Sequence, residues 1–171
     1  MEKYLLSSIE NKNFSKAVGE IYLATDYNHY QYPNYYKWYY GKTIPRIFDQ
    51  TGEIIFYLDG LTIAGLTILK KELEESKICT LMMIEEYRKK GYSKALLESA
   101  FDYLGTDQPL ITIPTKRLDE FSKIIQAYDW KESMRTDQYF SEEVIFNNPK
   151  QLIKEVNYSG SLSSSVGGTK N

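Results

Sequence analysis

Cysteine is nearly absent from this chain. Cys79 is the only one in 171 residues, so no intrachain disulfide can form, and a reducing, cytoplasmic setting is the simplest fit. Long apolar runs are missing too. Nothing approaches 18 consecutive apolar residues, so no transmembrane helix and no membrane partner are expected. The opening MEKYLLSSIENKN has neither a long apolar core nor a small-residue cleavage site, so no signal peptide is read there. There is no excess of one charge, the net value being -2. Without a global basic field, nucleic acid is not an expected partner, and any anion site has to be local. The patterns GxxxxGK[ST] and GxGxxG do not occur, which removes the usual phosphate-loop and dinucleotide fingerprints. No internal repeat is present.

Apolar residues make up 42% of the chain, enough for a real core. Residues 1–149 read as one domain. The tail at 150–171 ends in SGSLSSSVGGTKN, rich in serine and glycine, and is expected to be largely disordered. Leu5, Leu6 and Ile9 suit a short strand or a helical turn. Phe14 to Thr25 carries apolar residues at helical spacings. Tyr27 to Tyr40 follows, reading YNHYQYPNYYKWYY, with seven tyrosines among its fourteen residues. Pro33 is expected to start a second helix and Pro45 to end or kink it.

Glu53 to Leu58 and Leu61 to Leu69 read as strands joined at Asp59-Gly60, a strong hairpin signal. Lys70 to Lys77 reads as a charged turn and Ile78 to Ile84 as a third strand, completing an antiparallel meander. After Gly91 comes a helix with Leu96, Leu97, Ala100, Phe101 and Leu104 on one stripe. Gly105 stands where a helix-ending glycine belongs. Pro109 to Pro114 reads as a short buried strand, so strand, helix and strand form a right-handed parallel crossover. Leu118 to Tyr128 is a last helix. Trp130 to Met134 and Tyr139 to Phe146 are two final strands, with Arg135, Thr136 and Asp137 in the loop between them. The fold class is α+β: a mixed sheet of an antiparallel meander plus one parallel β-α-β crossover, with helices on both faces.

Chemistry concentrates between Lys77 and Leu104. Arg88-Lys89-Lys90-Gly91-Tyr92-Ser93 joins a strand to a helix. Its glycine lets the backbone approach a phosphate, and amides from Lys89 to Ser93 would otherwise be orphans at a helix start. A pyrophosphate can accept from them while the cations neutralise it. The other reading of the same residues is a solvated basic turn capped by Ser93.

The segment MMIEEYRKKGYSKALLESAF resembles the acetyl-CoA signature of the GNAT superfamily of N-acetyltransferases. That signature is Arg/Gln-x-x-Gly-x-Gly/Ala between a strand and a helix. Arg88 and Gly91 match its first two fixed places, and Ser93 replaces the third. The element order from Phe14 to Phe146 matches as well. The resemblance implies a GNAT-like fold and acetyl transfer from acetyl-CoA, the co-substrate, to a primary amine on a small molecule or peptide. The amine would attack directly in a ternary complex, and no metal is implied. It assigns the CoA pyrophosphate to Arg88, Lys89, Lys90, Gly91, Tyr92 and Ser93. It assigns the pantetheine arm and the thioester carbonyl to the backbone of Met82, Met83 and Ile84, an oxyanion-hole role.

The catalytic residues stay unassigned by the resemblance. Tyr128-Asp129-Trp130 occupies the family's Leu-Gly-Phe segment, which places Ile125 where many members have their acid tyrosine, with Tyr128 nearby. Thr80 falls where a basic carboxylate is expected, leaving Glu85 and Glu86 at the strand end as candidates. Cys79 reads as an inert small hydrophobe rather than a nucleophile. His29 suits a surface or stacking role. Tyr30, Tyr32 and Tyr36 are candidates for the acceptor mouth. The same tyrosine-rich segment equally suits packing on the sheet or a protein interface, including a homodimer. A catalytically inactive CoA-binding or protein-interaction module of this fold is the alternative function. An unrelated nucleotide-binding α+β domain is a third.

Overall fold

The computed structural model describes residues 1–30, 32–88, 90–137 and 141–149, without the side chains of Tyr27 and His29. The tail expected at 150–171 lies outside the described residues. Seven strands form one sheet: β1 (Glu2–Leu5), β2 (Gly52–Asp59), β3 (Thr62–Glu72), β4 (Glu75–Met83), β5 (Leu110–Pro114), β6 (Glu132–Thr136) and β7 (Glu143–Phe146). Their order is β1-β2-β3-β4-β5-β7-β6. Only β4 and β5 pair in parallel; the other described pairings are antiparallel. The helices are α1 (Asn11–Thr25), α2 (Tyr35–Trp38), α3 (Ile44–Phe48), α4 (Tyr92–Leu104) and α5 (Leu118–Ala127).

Period-two alternation divides the central strands between two cores. Ile54 and Phe56 on β2 face a core shared with Val18 and Ile21 of α1 and Ile47 of α3. Ile55, between them, faces the other core with Leu96, Leu97 and Phe101 of α4 and Phe121 of α5. Burial on both faces explains why β3 is apolar almost without interruption from Ile63 to Leu69. The sheet is thus mixed, with helices on both faces.

Several boundaries differ from expectation for visible reasons. Asp59 pairs with Thr62, so the β2–β3 turn is Gly60-Leu61, with Gly60 at φ 60. The charged stretch expected as a turn at Lys70 to Lys77 is mostly strand, because its charges pair across it. Lys70 Nζ lies 2.9 Å from both Glu72 and Glu75, and only Leu73-Glu74 turn. Pro33 does not open α2. Asn34 takes a left-handed φ of 66 and the helix starts at Tyr35. Pro45 does not end the helical run either. It sits in the first turn of α3, where its missing N–H matters little, and a π-helical turn (Tyr39–Thr43) leads into it. Arg135 and Thr136, expected in a loop, belong to β6. The last strand runs from Glu143, and residues 139–140 of its expected beginning lie outside the description.

The tyrosine-rich segment is partly core. Tyr39 is fully buried and its hydroxyl donates to the Val18 carbonyl at 2.9 Å. Tyr22 of α1 packs against the rings of Tyr35, Tyr36, Tyr39 and Tyr40.

Candidate functional site

The sheet opens between β4 and β5. They pair only at Lys77↔Leu110 and Ile78↔Ile111. Beyond that rung β4 follows β3 as far as Met83, while β5 follows β7 as far as Pro114. A bulge marks the point of divergence: Ile68 faces Thr80 and Leu69 faces Ile78, so Cys79 is one residue too many. A bulge bends its own strand and increases local twist. It also resets the alternation, so Cys79 packs towards the α1–α3 core while Leu81 packs towards the α4–α5 core.

A cavity of about 260 Å³ occupies this gap. Its sides are Cys79, Thr80 and Leu81 on β4 and Thr112 to Pro114 on β5. Asn28, Tyr32, Tyr35 and Trp38 line it from the α1–α3 side, and Arg117 and Phe121 from the α4–α5 side. The gap is therefore lined from both faces of the sheet.

Backbone direction along β4 can be read from its neighbours. The Ile84 N–H donates to the Ala64 carbonyl at 2.9 Å, so it points at β3. Alternation then turns Met82 towards β3 as well, and Met83 and Leu81 towards the gap. Consistent with this, the Met83 carbonyl accepts from Arg88 Nε at 3.1 Å. Of the three residues expected to line the thioester, Met83 presents its backbone to the gap, joined by Leu81.

The turn after β4 is held from both sides. The Arg88 N–H donates to the Glu85 carbonyl at 3.0 Å. The Tyr87 hydroxyl donates to Asp59 at 2.8 Å, and Lys90 Nζ lies 5.6 Å from the Tyr87 ring centroid. Gly91 takes φ 82 ahead of α4, a left-handed conformation that glycine adopts without strain. Among the described residues, no side-chain hydrogen bond caps the start of α4 at Gly91. The first helical bond of this turn runs from Ala95 N–H to the Gly91 carbonyl at 3.1 Å. The N–H groups of Tyr92, Ser93 and Lys94 consequently have no acceptor within the helix, and a helix start of this kind favours an anion. Lys89 lies outside the described residues.

The remaining candidates scatter. Tyr128 packs edge-on against Phe101, 4.9 Å between centroids, in the α4–α5 core. Ile125 packs on the same core. Glu85 and Glu86 are exposed on the turn after β4. Among Tyr30, Tyr32 and Tyr36, only Tyr32 lines the cavity; Tyr30 is 75% exposed and Tyr36 61%. Cys79 lines it too, and burial pushes its thiol pKa up, so the thiol form is favoured. The Thr80 carbonyl accepts from the Thr67 hydroxyl at 2.9 Å. The His29 side chain lies outside the description.

One residue at the gap escapes the sequence reading. Glu143, first in β7, is 3% exposed, lines the cavity and accepts a 2.7 Å hydrogen bond from the Tyr32 hydroxyl. Its only sequence signal is an acidic residue opening an apolar strand, and nothing local says which way it faces. The other buried glutamate, Glu53, accepts from the Ser7 N–H, the Ser7 hydroxyl and the Ile54 N–H, and does not line the cavity. Among the described residues, no group of three histidine, cysteine or acidic side chains is arranged to hold a metal. None of their helices is long and apolar enough to cross a membrane.

The sequence profile of the acetyltransferase (GNAT) family matches residues 11–109. Among solved structures, the chain resembles the ribosomal-protein-S18-alanine N-acetyltransferase from Escherichia coli. That match has 13% identity and a TM-score of 0.58, covering 85% of this chain and 92% of that one. A chain of the NatC complex bound to Gag peptide and CoA is similar at 14% identity and TM-score 0.64, covering 85% and 97%. A GNAT-family acetyltransferase from Bacillus cereus ATCC 10987 is similar at 13% and 0.55, covering 85% and 96%. No curated protein sequence matches the chain. At these identities the structural likeness speaks for a shared fold alone.

Proposed function

This chain belongs to the acetyltransferase (GNAT) family, and we propose that it moves an acetyl group from acetyl-CoA to a primary amine by direct attack in a ternary complex. The observation that carries this reading is the gap between β4 and β5, lined from both faces of the sheet. On one face stands the uncapped start of α4, beside Arg88 and Lys90. In the proposal its amides take the CoA pyrophosphate, and the pantetheine arm runs along β4. The N–H groups of Leu81 and Met83 then meet the thioester carbonyl, where negative charge develops during attack.

The acceptor amine enters from the other face, past Tyr32, Tyr35 and Trp38. Of two structures similar in fold, one is named for a protein acceptor, S18 alanine, and the other is a complex bound to a Gag peptide and CoA. The proposed acceptor is accordingly an amine on a peptide or a small molecule. In the proposal attack is direct, with no acyl-enzyme, and the burial that favours the thiol form of Cys79 over the nucleophilic thiolate agrees with it. Holding both reactants in one cavity supplies much of the rate gain. A reducing, cytoplasmic setting and a single catalytic domain at 1–149 complete the proposal.

Calorimetric titration with acetyl-CoA tests the cofactor half. Binding that is lost in Gly91→Trp is expected, and no binding at millimolar cofactor would sink it. A second reading, a CoA-binding module without turnover, draws on Tyr128 packing against the α4–α5 core and Glu85 and Glu86 lying exposed. Acetyl transfer to any member of a panel of amines and peptides excludes that module.

A further inference from the structure

We infer that Glu143 is the general base of this reaction and that Tyr32 positions it. The inference rests on the acetyltransferase reading above and names the group which that reading leaves open. The starting point is the pairing of β7. Val144 pairs with Ile113, and both are buried in the α4–α5 core. Side chains alternate along a strand, so Glu143 points to the opposite face, the acceptor side. It lies across from Pro114, the last residue of β5, at the edge of the gap.

A carboxylate this deeply buried requires compensation. Glu53 finds it in three donors of its own fold. Among the described residues, Glu143 accepts one side-chain hydrogen bond, from Tyr32 to Oε1, although a carboxylate offers about four acceptor positions. The remaining capacity faces a cavity into which an amine has to come. An ammonium group suits it in charge and in donor count.

The proton accounting closes without further reagents. The amine arrives as R–NH3⁺, since such groups have pKa values near ~10. Glu143 takes one proton, leaving the nitrogen lone pair free. The N–C bond forms at the thioester carbonyl carbon, and the carbonyl electrons move to oxygen. Collapse then breaks the C–S bond. The second nitrogen proton is lost as the amide forms and ends on the departing CoA sulfur. Glu143 returns its own proton to solvent.

Other titratable groups share this environment. Lys77 and Cys79 reach the cavity from β4, Arg117 from beyond β5, and Tyr32 and Tyr35 from the segment before and within α2. Arg117 is engaged with Glu120 at 3.0 Å and lies over the Phe121 ring. On the far side, β6 places Thr136 opposite Glu143, and Arg135 pairs with Glu142 at 3.6 Å.

The test compares two acceptors on the full chain: n-butylamine, protonated at neutral pH, and hydroxylamine, largely unprotonated there. Glu143→Gln should leave CoA affinity within about twofold of wild type. It should slow transfer to n-butylamine about 100-fold or more, in the range of lost general-base catalysis, and transfer to hydroxylamine by less than about tenfold. In Glu143→Gln the n-butylamine rate should rise with pH only as the free-amine fraction does, towards the amine's own pKa near ~10. Tyr32→Phe should slow n-butylamine transfer more than hydroxylamine transfer, by less than Glu143→Gln does, because the carboxylate is no longer held at the gap. Equal slowing with both acceptors, or no slowing, overturns the inference. So does a wild-type chain that binds CoA and acetylates neither amine. Failure to bind CoA overturns the acetyltransferase reading itself.

Discussion

Arg88 Nε donates to the carbonyl oxygen of Met83 at 3.1 Å. The first residue of the signature is therefore a brace between the turn and the end of β4, as well as a positive charge near the start of α4. A hydrogen bond from a charged group contributes about 1.5–3 kcal/mol, and partial exposure puts this one at the low end. Arg88→Ala should weaken CoA binding about tenfold by calorimetry, one decade being about 1.4 kcal/mol. Arg88→Lys keeps the charge without the planar fork, so it should recover only part of the loss. Full recovery would reduce Arg88 to its charge.

Gly91 is constrained by its backbone rather than by space. At φ 82, a Cβ there would meet no heavy atom within 4 Å. Gly91→Ala should fold, and lose roughly 1–2 kcal/mol to the left-handed conformation. For a chain of this size that is a fall in Tm of about 2–8 °C. Gly91→Asn should lose less, since asparagine tolerates this region. Scanning calorimetry of the two variants gives the order, and a Gly91→Asn less stable than Gly91→Ala contradicts the backbone explanation.

Gly65 on β3 is constrained by space. A Cβ would lie 2.6 Å from Met83 Cε, 2.8 Å from its Sδ and 3.0 Å from the Met82 carbonyl oxygen. Gly65→Ala should cost about 1–3 kcal/mol as an overpacked site. Much of that cost should disappear in a Met83→Ala background, with a coupling of about 0.5–3 kcal/mol between neighbours. Urea unfolding of the four proteins in the cycle measures it. Zero coupling would assign the clash to the Met82 carbonyl alone.

Cys79 should leave a mark on alkaline stability. Burial raises its pKa on folding. A group that titrates higher when folded contributes its stability fully below the unfolded value, about 8.5 for a thiol. That contribution is lost as pH climbs from there through the folded value. Cys79→Ala should therefore show a shallower fall of Tm with pH above about 8.5 than wild type, and iodoacetamide should label the native thiol more slowly than the unfolded one. Parallel Tm profiles would mean that the thiol titrates alike in both states.

What the sequence discloses follows from how local each determinant is. The existence of the β2–β3 hairpin around Gly60, the Leu96 to Leu104 stripe and the glycines at 91 and 105 depend on a few residues each, and all can be read in advance, though the turn itself is Gly60-Leu61. The end of the charged stretch at Lys70 cannot, because it depends on Glu75 answering across the hairpin. Glu143 is hidden for a stronger reason. Its position at the gap depends on β7 pairing with β5, and its partner Tyr32 lies 111 residues away. The tyrosines stand out as a group, yet packing decides their fates singly. Tyr39 is sealed in the core, Tyr32 reaches the gap and Tyr30 faces water. The bulge at Cys79 carries no glycine to announce it.

The parallel joint has a mechanical side. Its two residue pairs, Lys77↔Leu110 and Ile78↔Ile111, are the strand pairing between a four-stranded panel and a three-stranded one, over both of which the α4–α5 core packs. Each panel is internally cross-braced by longer antiparallel ladders. Backbone pairing across that joint is sparser than within either panel, so the sheet is expected to open there first, as two leaves on a narrow hinge, against the α4–α5 core that packs over both. In hydrogen exchange, amides inside a leaf should be the slowest, and those at the hinge should open first, at a free energy well below global unfolding. A molecule wedged between the leaves would slow the hinge amides selectively, which makes them a reporter of occupancy that needs no turnover.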